Sequence, residues 1–178
     1  MRLSAVIDAL PPYARDVARN LAALEGETVL SDQQFWGAVL ASAYAVGVPA
    51  VVQAGETAAR DAGLSAEAQA AARGAAAIMA QNNIYFRAID LLDDPVLAAE
   101  PSHLRMGLIS RPGVDPLDFH LWTLAASAIY GCEVCLRAQA AEAKVLGARP
   151  PMLSAALRVA ALIHAAGRIL AAEAARAG

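Results

Sequence analysis

Cys132-Glu133-Val134-Cys135 holds the only two cysteines of this 178-residue chain. Two thiols separated by two residues can cycle between dithiol and disulfide and so carry electron pairs. Gly131 precedes the pair and an alanine-rich helical stretch follows it. A cysteine near a helix N-terminus meets unpaired backbone N–H groups and the positive end of the helix dipole. Both favour the nucleophilic thiolate. The spacing therefore points to redox chemistry through Cys132 and Cys135. Two plainer roles compete. The cysteines could be small buried hydrophobes, although packing does not need this spacing. A zinc site needs two further ligands, and His103, His120 and His164 stand at no ligand-like offset from the pair.

The elements that position the pair follow from composition and breaks. Apolar residues, mostly alanine, make up 58% of the chain and aromatics only 5%, which favours closely packed helices over sheets. An all-α bundle is predicted. A net charge of −3 gives no electrostatic case for nucleic acid or an anionic membrane. The start reaches Asp8 before any signal-like apolar region forms, and Arg158, His164 and Arg168 interrupt the most apolar C-terminal stretch. Neither a signal peptide nor a membrane span is expected, and the chain reads as cytoplasmic. There, a lone Cys-x-x-Cys pair is more often catalytic than a structural staple.

Pro11-Pro12 ends a short first helix and opens a second that carries Tyr13, Val17, Leu21 and Leu24 at helical spacing. Ser31 and Gln34 form a capping box for a helix from about Gln33 to Val46. A further helix spans about Ala50 to Ala62, and Ser65 caps a long one toward Leu92. Asp93-Asp94-Pro95 is a turn, followed by an irregular stretch to Pro101 and a short helix from about Ser102 to Ile109. Asp115-Pro116 restarts a helix that stops at Tyr130-Gly131. The cysteine helix covers roughly Cys132 to Leu146, and a last helix runs from Met152 to near Arg176. No stretch alternates like a strand.

The chain also matches itself. A shift of 85 residues lays Ala41-Ser42-Ala43 on Ala126-Ser127-Ala128, Arg73 on Arg158 and Ile78 on Ile163. Residues 1–178 thus read as a single domain with a first repeat at about 31–92 and a second at about 116–176. In that register Gly47 and Ala50 take the places of Cys132 and Cys135, so the first half is a scaffold without thiols. Arg73 and Arg158 are expected to make equivalent structural contacts. His164 reads as a core histidine and His103 as a surface one. Trp36, Phe35, Met79 and Tyr85 read as core.

Nearly the whole chain resembles the AhpD-type alkylhydroperoxidases, within the carboxymuconolactone-decarboxylase-like helical fold. The resemblance rests on Leu30-Ser31-Asp32-Gln33-Gln34-Phe35-Trp36-Gly37, Gly74-Ala75-Ala76-Ala77-Ile78-Met79 with Asn82-Asn83, and Leu104-Arg105-Met106. It is strongest from Asp118-Phe119 through Leu121-Trp122 to Gly131-Cys132 and Cys135. It implies an all-helical subunit with an internal duplication, assembled as a homotrimer; composition leaves three and six copies open. It implies reduction of an alkyl hydroperoxide at the cysteine pair, with no bound cofactor. The electrons would come from a dihydrolipoyl group on a lipoylated protein, with an AhpC-type peroxiredoxin as partner. By family assignment Cys135 becomes the sulfenic acid, and Cys132 is the proton donor and resolving thiol.

Three positions depart from the family pattern. His120 stands where the family usually has a glutamate, Val134 where it has a histidine before the second cysteine, and Gln139 where it has a histidine four residues after. The usual proton relay must therefore be rebuilt. An imidazole titrates near the working pH, so His120 is the candidate base, set against a histidine that merely packs beside Trp122. Gln139 can orient His120 or a water but cannot titrate. Glu133 is either a second relay group or a solvated side chain of the first helical turn, where negative charge is favourable. Tyr130 can pack against the pair or donate to it. Three other functions compete with peroxide reduction: a general thiol–disulfide oxidoreductase, a non-catalytic helical adaptor with a vestigial site, and, more distantly, a decarboxylase of the wider fold.

Overall fold

The computed structural model describes residues 2–177. Ten α-helices and no strand occur among them: α1 (Ser4–Ala9), α2 (Arg15–Leu24), α3 (Asp32–Val46), α4 (Pro49–Asp61), α5 (Ala66–Leu92), α6 (Pro95–Ala99), α7 (Gly107–Ser110), α8 (Pro116–Tyr130), α9 (Glu133–Val145) and α10 (Pro150–Ala177). The all-α expectation holds. The capping box forms as read: Ser31 Oγ accepts from the Gln34 N–H at 3.2 Å and Gln34 Oε1 accepts from the Ser31 N–H at 3.1 Å.

Helices α3 and α8 form the centre. Residues 35–43 and 118–127 are buried without interruption, so both helices are covered on every face. Helices α5 and α10 pack along both of them. Val39, Leu40, Phe119, Leu121 and Trp122 are among the sealed side chains, each contributing about 1.5–3 kcal/mol by burial. Gly37 makes the closest approach possible, because a Cβ there would overlap the Trp122 ring. Trp122 Nε1 donates to the Gln34 carbonyl at 3.0 Å, satisfying the polar edge of that ring.

Six helices obey one offset. The bounds of α3, α4 and the start of α5 recur in α8, α9 and the start of α10 84 residues later. The left-handed glycines Gly47 and Gly63 recur as Gly131 and Gly147. All eight buried positions of α5 have buried counterparts on α10 at the same offset. The structural register is therefore 84, one residue from the sequence match. Alanine runs match themselves at many shifts, but burial does not. Val48 and Val51, not Gly47 and Ala50, stand in the places of Cys132 and Cys135. Arg73 then has Leu157 as its counterpart, and its contacts differ from those of Arg158. Arg73 pairs with Glu56 at 3.0 Å on α4, whereas Arg158 pairs with Glu27 in the loop before α3.

Other local expectations are corrected. Tyr13 lies 70% exposed on a 3-10 turn, Pro12–Ala14, and donates to Glu173 rather than joining the α2 face. Pro95 starts helix α6 inside the stretch read as irregular, with Asp94 accepting from the Val96 and Leu97 N–H groups. The helix read from Ser102 begins only at Gly107, since His103 adopts φ +53° and cannot continue a right-handed turn. His164 is exposed, and Tyr85 is half-buried. Helix α10 is long and apolar enough to cross a membrane by length and composition, with a mean hydropathy of 1.5 over its most apolar window. Arg158, His164 and Arg168 do not prevent that, but nine residues of α10 are buried in this fold.

Candidate active site

Helix α8 ends where the chain must turn sharply into α9. Gly131, at φ +66°, provides the turn, and its N–H closes on the Ser127 carbonyl. The next residue, Cys132, is the N-cap of α9, and its sulfur accepts from the Cys135 N–H at 3.3 Å. That bond turns both side chains to the same side. The two sulfurs stand 2.7 Å apart, and both cysteines are free. A disulfide needs about 2.05 Å, so closure takes a small motion. Arg87 of α5 donates to the Tyr130 carbonyl at 2.5 Å and fixes the corner from outside. Tyr130 itself is half-buried, and burial raises its phenol.

Both cysteines are buried, Cys132 completely and Cys135 to 5% exposure. Burial pushes the Cys135 thiol up to about 12. The hydrogen bond and charge of Cys132 add to the rise, and the backbone N–H only partly opposes them. The helix terminus does not prevail at Cys135, because apolar walls surround it.

Those walls form a pocket of about 240 Å³. Helix α5 contributes Met79, Asn82 and Phe86; α9 contributes Val134, Cys135, Ala138 and Gln139; Met106 and Ile109 close it from the α7 segment. Met79 is core, as expected, but its side chain is also a pocket wall. The residues the sequence reading left out of the site are Asn82, Phe86, Met106, Ile109 and Ala138. The available signal was the spacing of Met79, Asn82 and Phe86 on one face of α5.

Beside the pocket lies a buried polar unit. His120 Nδ1 faces Gln139 Oε1 at 2.8 Å, and Thr123 Oγ1 stands 2.7 Å from the same oxygen. All three residues are at most 7% exposed. The imidazole proton therefore sits on Nδ1, leaving Nε2 as its basic nitrogen. With Oε1 engaged twice, the Gln139 amide is held in one orientation, and its NH2 remains free for the pocket. Thr123 was missed, although it lies one turn from His120. His120 does not line the pocket; it reaches it through Gln139. Glu133 points to solvent and pairs with Arg137 one turn on. No cluster of His, Cys, Asp and Glu suited to a metal ion occurs among the described residues.

A second pocket repeats this one at the structural offset. It is about 320 Å³ and includes Ala50, Ala54 and Leu170, the counterparts of Val134, Ala138 and Phe86. Helix α1 covers it with Ala5, Val6 and Ala9, as Met106 and Ile109 cover the thiol pocket. Its wall lacks a thiol, since Val51 stands for Cys135. Gly55 stands for Gln139 and Trp36 for His120.

The comparisons agree with this architecture. Residues 95–177 match the model of the carboxymuconolactone decarboxylase family. The chain is 46% identical to the alkyl hydroperoxide reductase AhpD of Hyphomonas neptunium, over 98% of this chain and 97% of that protein. It is 44% identical to the protein of the same name from Maricaulis maris, over 97% and 99%. It is 43% identical to that of Streptomyces griseus, over 98% of each. A buried thiol pair at a helix N-cap and full-length identity of this order have one reading: the chain belongs to the AhpD family of alkyl hydroperoxide reductases.

Proposed function

We propose that this protein reduces alkyl hydroperoxides through Cys135 and Cys132. The observation that carries the reading is the sulfur pair, 2.7 Å apart, with Cys135 lining an apolar pocket. Cys135, as thiolate, attacks the terminal peroxide oxygen. The O–O bond breaks, Cys135 becomes a sulfenic acid, and Cys132 supplies the proton that releases the alcohol. The Cys132 thiolate then displaces hydroxide from the sulfenic sulfur, giving a disulfide and, after proton uptake, water. A dithiol reductant reopens the bridge by exchange.

The apolar walls suit an organic hydroperoxide. The free amide of Gln139 is placed to donate to a peroxide oxygen, and His120 holds that amide and can store a proton on Nε2. Glu133, paired with Arg137 in solvent, has no part in this cycle. The reductant is a dihydrolipoyl group on a lipoylated protein, with an AhpC-type peroxiredoxin as a downstream partner. A soluble, cytoplasmic homotrimer is the proposed setting, supported by the packing of α10 within the fold and by family membership. The three-helix recurrence at 84 residues supports an internal duplication.

The test is reduction of cumene hydroperoxide by purified protein with dihydrolipoamide, beside Cys132→Ser and Cys135→Ser. Turnover lost in both variants is expected. Disulfide formation with disulfide substrates but not with peroxide would instead make the protein a general thiol–disulfide oxidoreductase.

A further inference from the structure

The pocket has a second oxidisable atom. Met106 and Cys135 line the same space, and Asn82 Nδ2 donates to the Met106 sulfur at 3.4 Å. Asn82 is only 3% exposed, so its amide is a fixed anchor for that thioether. The methionines differ in access. Met79 lines the pocket too, but it is fully sealed, and Ser127 Oγ stands 3.2 Å from its sulfur. Met152 is buried in the core on α10, away from the pocket. Met106 alone among the described methionines is half-buried and in the pocket.

Proximity matters because the neighbouring thiol is slow to ionise at neutral pH. A thioether needs no deprotonation to react with a peroxide, since its sulfur lone pair is always available. A hydroperoxide held in this pocket therefore meets a buried, mostly protonated thiol and a permanently available thioether.

We propose that Met106 is a modification site, converted to methionine sulfoxide by the hydroperoxide that occupies the thiol pocket. The Met106 sulfur attacks the terminal peroxide oxygen and the O–O bond breaks. The hydroxyl proton passes to the departing alkoxide, giving the alcohol and the sulfoxide; sulfur is oxidised and peroxide reduced. The product places a polar oxygen in an apolar wall. Binding of apolar hydroperoxides weakens, so KM rises more than kcat falls. Methionine sulfoxide reductase reverses the change. This inference rests on the pocket being the peroxide site, as proposed above.

The experiment treats the wild type and Cys135→Ser with excess cumene hydroperoxide and follows one added oxygen on the peptides carrying Met79, Met106 and Met152. Cys135→Ser has no cycle to consume the peroxide, so its labelling tests this inference separately from turnover. The Met106 peptide is expected to gain oxygen first in both proteins. The wild type, after reduction with dithiothreitol, is expected to keep a raised KM that methionine sulfoxide reductase restores. Met106→Leu is expected to keep its own starting KM through the same treatment. Labelling of Met152 or Met79 as fast as Met106, or the same KM drift in Met106→Leu, would overturn the inference. Either result would leave thiol turnover in the wild type unaffected as a separate finding.

Discussion

The two halves of the molecule share a helical frame and differ in most of their side chains, the site residues among them. At the offset of 84 residues, Val48 and Val51 stand for Cys132 and Cys135, Val39 for Thr123, Ala43 for Ser127 and Gly55 for Gln139. Each first-half residue is apolar or lacks a side chain. The first half shows the scaffold without thiols: its own pocket of about 320 Å³ has no cysteine in its wall, and its buried Ser42 Oγ and Asn83 Oδ1 have no hydrogen-bond partner. The second half carries buried His120, Thr123, Ser127 and Gln139, and every one of them has a hydrogen-bond partner. Burying such groups unpaired costs about 1–3 kcal/mol each, so the site is self-consistent only as a network. The lids differ as well. Helix α1 is a plug, with Leu3 and Val6 almost fully buried and Glu25 accepting from the Arg2 and Leu3 N–H groups. The segment around Met106, residues 101–114, has no buried residue, and its only helix is four residues long.

The largest effect separates the halves by chemistry. Cys135→Ser is expected to abolish peroxide consumption. Val51→Ser should preserve it and cost only about 1–3 kcal/mol of stability, read by thermal unfolding, because it buries an unpaired hydroxyl. Loss of turnover in both would erase the division of labour.

The apolar setting that the two positions share also fixes a pH dependence. Burial holds the Cys135 pKa up at about 12, so its thiolate fraction is small at neutral pH and grows with pH below that value. Alkylation by iodoacetamide should therefore accelerate about tenfold per pH unit from 7 to 9. A rate already at its plateau near pH 7 would show that other groups overrule burial here.

Between the halves, the crossing of α3 and α8 depends on Gly37. Gly37→Ala drives a methyl into the fixed Trp122 ring and is expected to cost about 1–3 kcal/mol or more in urea unfolding. Its counterpart change, Leu121→Ala, opens a cavity instead and is expected to cost about 2–5 kcal/mol. Unchanged midpoints would mean the crossing is not close-packed.

The smallest effect concerns Thr123. Thr123→Val removes one of two donors to Gln139, and turnover is expected to fall by up to about tenfold, the worth of one such bond, with thiol closure retained. Gln139→Leu should fall further. A Thr123→Val enzyme with wild-type turnover would reduce the network to a packing role.

Much of this arrangement was legible in the sequence because it rests on local chemistry. Ser31, Ser65, the glycines and the prolines set helix ends through their own backbone preferences, and Cys132-x-x-Cys135 fell at a helix start as those rules require. The repeat register was off by one because alanine carries almost no positional information. His164 and Tyr13 were misplaced because periodicity locates a face without saying which neighbour covers it. Thr123, Asn82 and Met106 stayed hidden because their roles come from tertiary contacts across 16 to 24 residues. Such contacts leave no periodic trace.

The plug over the thiol-free pocket joins opposite ends of the chain, with Ala5 and Val6 sharing a wall with Leu170. During synthesis α1 leaves the ribosome long before Leu170 exists, by roughly 10–30 s at ordinary elongation rates. Over that interval Val6 has no finished seat. The last helix to emerge supplies, through Leu170, one wall of the pocket that the first one covers.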